Sequence, residues 1–187
     1  MPVHSYIVLS LFTLMGIALL SVVILRKKDK YRFLGTPPID KFFFLSGKIT
    51  LFTNWGFFIY KAILPKSGYV MVPSWLSWTA TGALLVGSVL MIIALFELGA
   101  SLRVGLPKEE TRLKTDGIYC FSRNPLYLGV FLITIGSCLY IPDLINISFG
   151  LYGIYIHHLI TVGEEKFLDQ RFGEEWKNYC RTTRRYI

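Results

Sequence analysis

The sequence predicts an all-α integral membrane protein with about five transmembrane helices, a hairpin formed by the fourth and fifth, and a C-terminal amphipathic helix. Three observations predict it. Of the 187 residues, 53% are hydrophobic and 17% are charged, and the mean hydropathy is +0.49. The apolar residues fall in blocks of about 18 or more, the length a helix needs to cross the hydrocarbon at about 1.5 Å per residue. The basic residues gather at the ends of those blocks, where they set topology and meet anionic head groups.

Span one covers residues 3–25. A signal peptide carries positive charge ahead of its apolar core. Here the charge follows, in RKKDKYR from Arg26 to Arg32, so the segment reads as a retained helix with its N-terminus outside. Span two covers 41–63, and the loop after it is broken by Pro65, Gly68 and Pro73. Span three covers 75–98. A polar stretch, Gly99 to Asn124, carries Arg103, Lys108, Arg112, Lys114 and Arg123. Span four covers 125–141, the turn IPDLIN follows, and span five covers 144–162. The tail, Gly163 to Ile187, is polar. The chain 1–187 thus reads as a single membrane domain.

The basic segments are Arg26–Arg32, Arg103–Arg123 and the tail; the N-terminus, Leu64–Ser74 and Ile141–Asn146 are poor in Lys and Arg. The two sets alternate along five spans, which puts the C-terminus and the polar loop in the cytoplasm. The short turn makes spans four and five an antiparallel pair. SRNP, ending at Pro125, and GEE, Gly163 to Glu165, are therefore expected to face each other.

Several classes are excluded. The net charge of +8 comes without a basic patch interleaved with aromatics outside the spans, so no nucleic-acid partner is expected. Cys120, Cys138 and Cys180 are far apart and form no C-x-x-C, which suggests neither a zinc site nor a disulfide framework. His157 and His158 point about 100° apart on a helix, so they cannot clamp one metal as an i, i+4 pair does. They read as packing or hydrogen-bonding groups. The glycines of GASLRVG follow a helix rather than a strand, so a dinucleotide-binding loop is not supported.

The polar groups near the apolar blocks carry the chemistry. Pro125 suits the first turn of a helix, and Asn124 before it suits the cap. Arg123 beside that helix start reads either as a topology-setting cation or as part of an anion clamp. Glu164 and Glu165 directly follow span five. Glu165 shares a helical stripe with Leu168, Phe172, Trp176 and Tyr179, and Gly173 is placed to bend or interrupt it. The acids read either as solvated groups on an interfacial helix or as inward partners of Arg123. Lys48 in span two and Glu97 near the end of span three either pair, border a site, or reach water.

The segment TRLKTDGIYCFSRNPLY, with the later GEEKFLDQRFGEEWKNYCRTTRR, resembles the C-terminal signature of the isoprenylcysteine carboxyl methyltransferase and phospholipid methyltransferase superfamily. Gly117, Tyr119, Arg123, Asn124, Pro125, Tyr127 and Gly129 fit its first half; Glu164, Glu165, Leu168, Phe172, Gly173, Trp176 and Tyr179 fit its second. Five spans look most like a prokaryotic isoprenylcysteine carboxyl methyltransferase. The pattern departs at Asn124, commonly histidine, and at Ile160, where eukaryotic members carry a substrate-linked arginine.

The resemblance implies methyl transfer from S-adenosylmethionine, leaving S-adenosylhomocysteine, to a lipid-linked acceptor in the bilayer. The implied acceptor is a prenylated cysteine carboxylate or, alternatively, a phospholipid amine. It implies cofactor contacts at Thr111, Arg112, Leu113, Lys114, Tyr119, Asn124, Pro125, Leu126, Tyr127 and Glu164, within a cofactor region of residues 99–127 and 157–187. Catalytic roles fall on Arg123, Glu164 and Glu165. Arg123 and the span-four N-terminus suit the cofactor carboxylate, one glutamate its ammonium, and Tyr119 and Tyr127 its adenine. No metal is implied. A non-enzymatic membrane carrier or structural subunit, and a reductase sharing a similar terminal motif, are the readings from other classes.

Overall fold

Helix α1 (Val3–Arg26) leads into α2 (Lys41–Ile63), α3 (Ser74–Leu98), a 3-10 turn (Gly117–Cys120), α4 (Pro125–Tyr140), α5 (Leu144–Phe172) and α6 (Glu174–Thr182) in the computed structural model. It describes residues 1–26, 36–65, 72–98 and 112–187. Most of RKKDKYR, all of GASLRVG, Arg103, Lys108 and Thr111 lie outside the described residues. Among those described, no strand element occurs. Four helices, α1, α2, α3 and α5, are long and apolar enough to cross a membrane. The fifth expected span, α4, is apolar but only 16 residues long.

Helix starts follow local chemistry. The Asp40 carboxylate accepts from the Phe42 and Phe43 amides at 2.9 and 3.4 Å, capping α2. Asp143 accepts from the Ile145 amide at 2.9 Å and starts α5 directly after α4. Pro125 occupies the first turn of α4, where a missing N–H is harmless. One boundary differs from expectation. Helix α5 does not end near Val162 but continues to Phe172, so Glu164 and Glu165 lie inside it. GEEKFLDQRF contains no breaker, and both acids find partners. The helix stops only at Gly173, whose φ of 52° is a left-handed conformation that glycine adopts without a Cβ clash.

Packing is of the close, small-residue kind found between membrane helices. A Cβ on Gly87 of α3 would lie 2.7 Å from the Gly129 carbonyl oxygen of α4, and one on Gly129 would lie 2.6 Å from the Gly87 oxygen. On the other side, Gly47 of α2 lies against Ile156 of α5, and Gly153 of α5 against Leu51. The apolar core runs through Phe58, Leu84 and Ile133. Phe42, Phe52, Leu85 and Val89 point outward, as lipid-facing side chains do.

A buried polar set ties α2, α4 and α5 together. Asn54 Nδ2 donates to Asn146 Oδ1 at 2.8 Å, Asn146 Nδ2 donates to the Ser137 carbonyl at 3.0 Å, and Ser137 Oγ donates to the Asn54 carbonyl at 2.7 Å. Asn146 also donates to the Ile141 carbonyl at 3.0 Å, which closes the α4–α5 turn. At the other end of α5, Pro38 packs against Gly163, bringing the segment before α2 beside Glu164.

Candidate functional site

Helix α4 begins where α5 carries its two adjacent carboxylates. Arg123 donates through Nε to Glu165 Oε1 at 3.2 Å and through Nη2 to Oε2 at 3.3 Å. Its Nη1 donates to the Thr183 carbonyl at 2.6 Å. Asn124 Nδ2 reaches the same Glu165 Oε1 at 2.8 Å, and Arg185 Nε reaches Oε2 at 2.9 Å. The Arg123 and Glu165 side chains are 11% and 8% exposed, so this is a nearly dry ion cluster. Trp176 closes it, with the Arg123 guanidinium 5.6 Å from its ring centre.

The expected side-chain cap by Asn124 is not formed. Its Nδ2 instead donates to the Glu165 carboxylate and the Arg185 carbonyl, which fixes the amide so that its oxygen does not reach the α4 N–H groups. Asn124 still closes the first turn through its carbonyl, which accepts from the Leu128 amide at 3.0 Å.

Glu164 faces a different chamber. Adjacent helical positions diverge by about 100°, so it turns from the arginines towards α4. Tyr127 Oη donates to Glu164 Oε1 at 3.0 Å. Among the described residues, no hydrogen bond reaches Glu164 Oε2. Tyr119, on the 3-10 turn, lies within charge-interaction range of Glu164 and Glu97. Its side chain is almost fully buried at 6% exposure, and its hydroxyl has no hydrogen-bond partner among the described residues. Burial foremost, then the Tyr179 phenol and the two acids, push that hydroxyl well above its ordinary pKa. It is therefore a protonated donor at neutral pH.

The turn itself is fixed from two sides. Glu97 accepts from the Ile118 amide at 2.9 Å, and Gly117, with φ of 63°, lies so close to the Glu97 carboxylate that a Cβ would collide with it. Tyr179 Oη donates to the Tyr119 carbonyl at 2.6 Å. The tail then runs back along the start of α4. The Arg123 amide donates to the Arg184 carbonyl at 2.9 Å, and Ser122 Oγ donates to the Arg185 carbonyl at 3.2 Å.

Of the expected residues, the fold brings together Tyr119, Arg123, Asn124, Tyr127, Glu164 and Glu165. Pro125 is buried at the helix start, and Leu126 packs onto the apolar core. Arg112 is exposed, Leu113 is half-buried, and Lys114 pairs with Asp116 at 2.9 Å, so these three lead into the turn without joining the ion cluster. Sequence reasoning did not single out Arg185 or Thr183. The only signal was an excess of basic residues near the C-terminus, which topology already explained. Glu97 belongs to the site's wall, holding the turn that carries Tyr119.

The arrangement offers a carboxylate oxygen and a phenol hydroxyl that lack a hydrogen-bond partner among the described residues, at the mouth of an apolar bundle. For the buried Tyr119 hydroxyl that lack carries a penalty of about 1–3 kcal/mol. A ligand bearing a cation and hydrogen-bonding groups would relieve it.

Comparison with known proteins agrees with the resemblance seen in the sequence. The chain is 27% identical over 107 residues to Protein-S-isoprenylcysteine O-methyltransferase of Schizosaccharomyces pombe (strain 972 / ATCC 24843), covering 54% of this chain and 44% of that protein. The aligned part thus spans less than half the length of that relative. The phospholipid methyltransferase family matches residues 75–175, a range that holds α3 from its second residue, the 3-10 turn, α4 and α5, with Arg123, Asn124 and Glu165 of the ion cluster but not Trp176, Thr183 or Arg185. By that match, this chain belongs to the phospholipid methyltransferase family.

Proposed function

We propose that this protein is a membrane methyltransferase that uses S-adenosylmethionine and acts on a lipid-linked acceptor, specifically the carboxylate of a prenylated cysteine. The observation that carries the reading is the buried Tyr119 hydroxyl, without a partner among the described residues, on the turn that leads into the α4 start where Tyr127 meets Glu164, inside the segment shared with the family.

The residues fit the cofactor. Glu164 Oε2 accepts from its ammonium, and Tyr127 holds Glu164 in position through Oε1. Tyr119 supplies the hydrogen bond that it lacks internally. Arg123 is engaged with Glu165 and Thr183, so its role is to position α4 and the tail around the site. When bound, S-adenosylmethionine supplies a methyl group activated by an adjacent sulfonium. The protein then has only to align acceptor and methyl, an effect that can supply about 7–11 kcal/mol of the barrier. A carboxylate acceptor has no proton to lose, so no general base is required. In this reading the N-terminus is outside, and the C-terminus and site are cytoplasmic.

A second reading is N-methylation of a phospholipid amine, favoured by the description of the matching family. Glu164 would then also take the amine's proton. The test is calorimetry of purified protein with S-adenosylhomocysteine, followed by transfer from methyl-labelled cofactor to a prenylated cysteine and to phosphatidylethanolamine. The expected result is cofactor-product binding, with label in a base-labile ester on the prenylated cysteine. No binding would sink the methyltransferase reading, and label only in the phospholipid would favour the second.

A further inference from the structure

Lys48 stands within the apolar span of α2 without an ion-pair partner among the described residues. An unpaired charge there is expensive, and in membrane proteins such groups commonly serve a substrate or ion. Its surroundings give the direction of that service. Gly47, the preceding residue, packs on Ile156, so the turn carrying Lys48 lies across from the turn carrying His157. The Lys48 ammonium is 4.6 Å from the centre of the Phe44 ring, one turn nearer the start of α2. That start is the end lying beside Glu164, because Pro38 packs on Gly163. The ammonium is close enough to Glu164 and to His157 for their charges to interact.

His157 is tied to its own helix. Its Nδ1 is 2.8 Å from the Gly153 carbonyl, which can only accept, so Nδ1 carries a proton. Its ring lies 6.3 Å from that of Tyr127. Lys48 of α2 and Glu164 of α5 thus stand as groups of opposite charge type that are not joined as a salt bridge among the described residues.

We infer that Lys48 is the residue that selects the methyl acceptor, holding a carboxylate at the head of a lipid-tailed molecule. The inference rests on the methyl-transfer reading above. The charges decide between acceptors. Cofactor ammonium held by Glu164 would leave two further positive charges, the sulfonium and Lys48, against the cofactor's one carboxylate, since Glu97 is committed to the Ile118 amide of the turn. An anionic acceptor restores balance and is cancelled together with the sulfonium; an amine nitrogen brings no anion, and its methylation only moves the positive charge from sulfur to nitrogen.

In the reaction, an acceptor carboxylate oxygen donates a lone pair to form the O–CH3 bond. The C–S bond breaks, and its electron pair stays on sulfur. Ester and thioether form, the two opposite charges vanish, and no proton moves. Because charge disappears on the way to the transition state, Lys48 grips the starting acceptor more than the transition state. Its loss therefore acts on KM more than on kcat.

The test uses the full-length protein in detergent, with N-acetyl-S-farnesylcysteine and phosphatidylethanolamine as acceptors. Lys48→Met is expected to raise KM for the carboxylate by about 10- to 100-fold, the range for a lost charge-assisted hydrogen bond. Its kcat should be unchanged or slightly raised, and S-adenosylhomocysteine affinity should stay within about twofold of the unaltered protein. Lys48→Arg should restore most of the KM effect. An unchanged KM in Lys48→Met would overturn the assignment. So would a parallel loss of S-adenosylhomocysteine affinity, which would assign the lysine to the cofactor or the fold. Absence of S-adenosylhomocysteine binding by the unaltered protein is a separate result that removes the underlying reading.

Discussion

Arg123 and Glu165, 42 residues apart in sequence, meet through two hydrogen bonds, Nε to Oε1 at 3.2 Å and Nη2 to Oε2 at 3.3 Å. The pair joins the start of α4 to the late turns of α5, and Arg185 brings the tail onto the same carboxylate at 2.9 Å. Removing Glu165 leaves two guanidinium groups without their shared anion. Breaking a buried pair from one side typically destabilises by about 3–5 kcal/mol. Glu165→Ala is therefore expected to lower the unfolding midpoint strongly in detergent. Arg185→Ala, whose side chain is 38% exposed, should lower it less. Equal midpoints for the two variants would contradict the dry-cluster account.

Glu164 carries the opposite expectation. Its replacement by Gln keeps an oxygen for Tyr127 and removes the charge. Unfolding should change little. Affinity for S-adenosylhomocysteine should fall by about tenfold or more, since hydrogen bonds to charged groups contribute about 1.5–3 kcal/mol. Isothermal calorimetry beside a thermal melt reads both numbers. A large stability loss with unaltered affinity would show that the acid serves the fold instead.

Tyr119→Phe removes one hydroxyl and nothing else. With no partner among the described residues, that group is a liability, so its loss should leave stability unchanged or raise it by about 1 kcal/mol. Ligand affinity should move the other way. A melt with and without S-adenosylhomocysteine checks this: the ligand-induced rise in midpoint should shrink in the variant. A variant that melts lower without ligand would point to a hydrogen bond inside the protein.

Two glycines separate packing from propensity. Gly129→Val places methyl groups against the Gly87 backbone of α3 and should cost about 1–3 kcal/mol or more by overpacking. It should also weaken ligand binding, because α4 carries Tyr127. Gly16→Ala in α1 meets nothing within 4 Å and should be neutral or mildly stabilising through helix propensity. Detergent melts of both variants test the contrast; similar losses at the two positions would argue against close α3–α4 contact.

Much of this architecture was legible in the chain because burial in lipid needs long uninterrupted apolar runs, and those runs mark α1, α2 and α3 to within a residue or so. The short IPDLIN turn also foretold that SRNP and GEE would meet. The helical stripe from Glu165 to Phe172 and its stop at Gly173 were legible as well. That this stripe continues α5 without a break past Val162 was not, because Glu164 and Glu165 look like the edge of a span until their partners on α4 and the tail are known. Which acid faces the arginines depends on helix rotation, fixed by packing such as Gly47 on Ile156 rather than by charge pattern. Arg185 was hidden because a basic tail residue has a sufficient explanation in topology. Asn124 took the position of a cap but gave its amide to a carboxylate that sequence could not place.

The 16 residues of α4 extend about 24 Å at 1.5 Å each, roughly a turn short of a typical hydrocarbon layer of about 30 Å. The shortfall cannot be taken up at the Tyr140 end, where α4 is tied directly to the beginning of α5. It falls at Pro125, alongside Glu164 and Glu165, about two turns before α5 stops at Phe172. At the level of the two acids the apolar layer of α4 thus gives way to the 3-10 turn and the returning tail, whose backbone lies along the helix start. In the proposed reaction a water-borne cofactor would reach this polar end while a greasy tail stayed among the acyl chains.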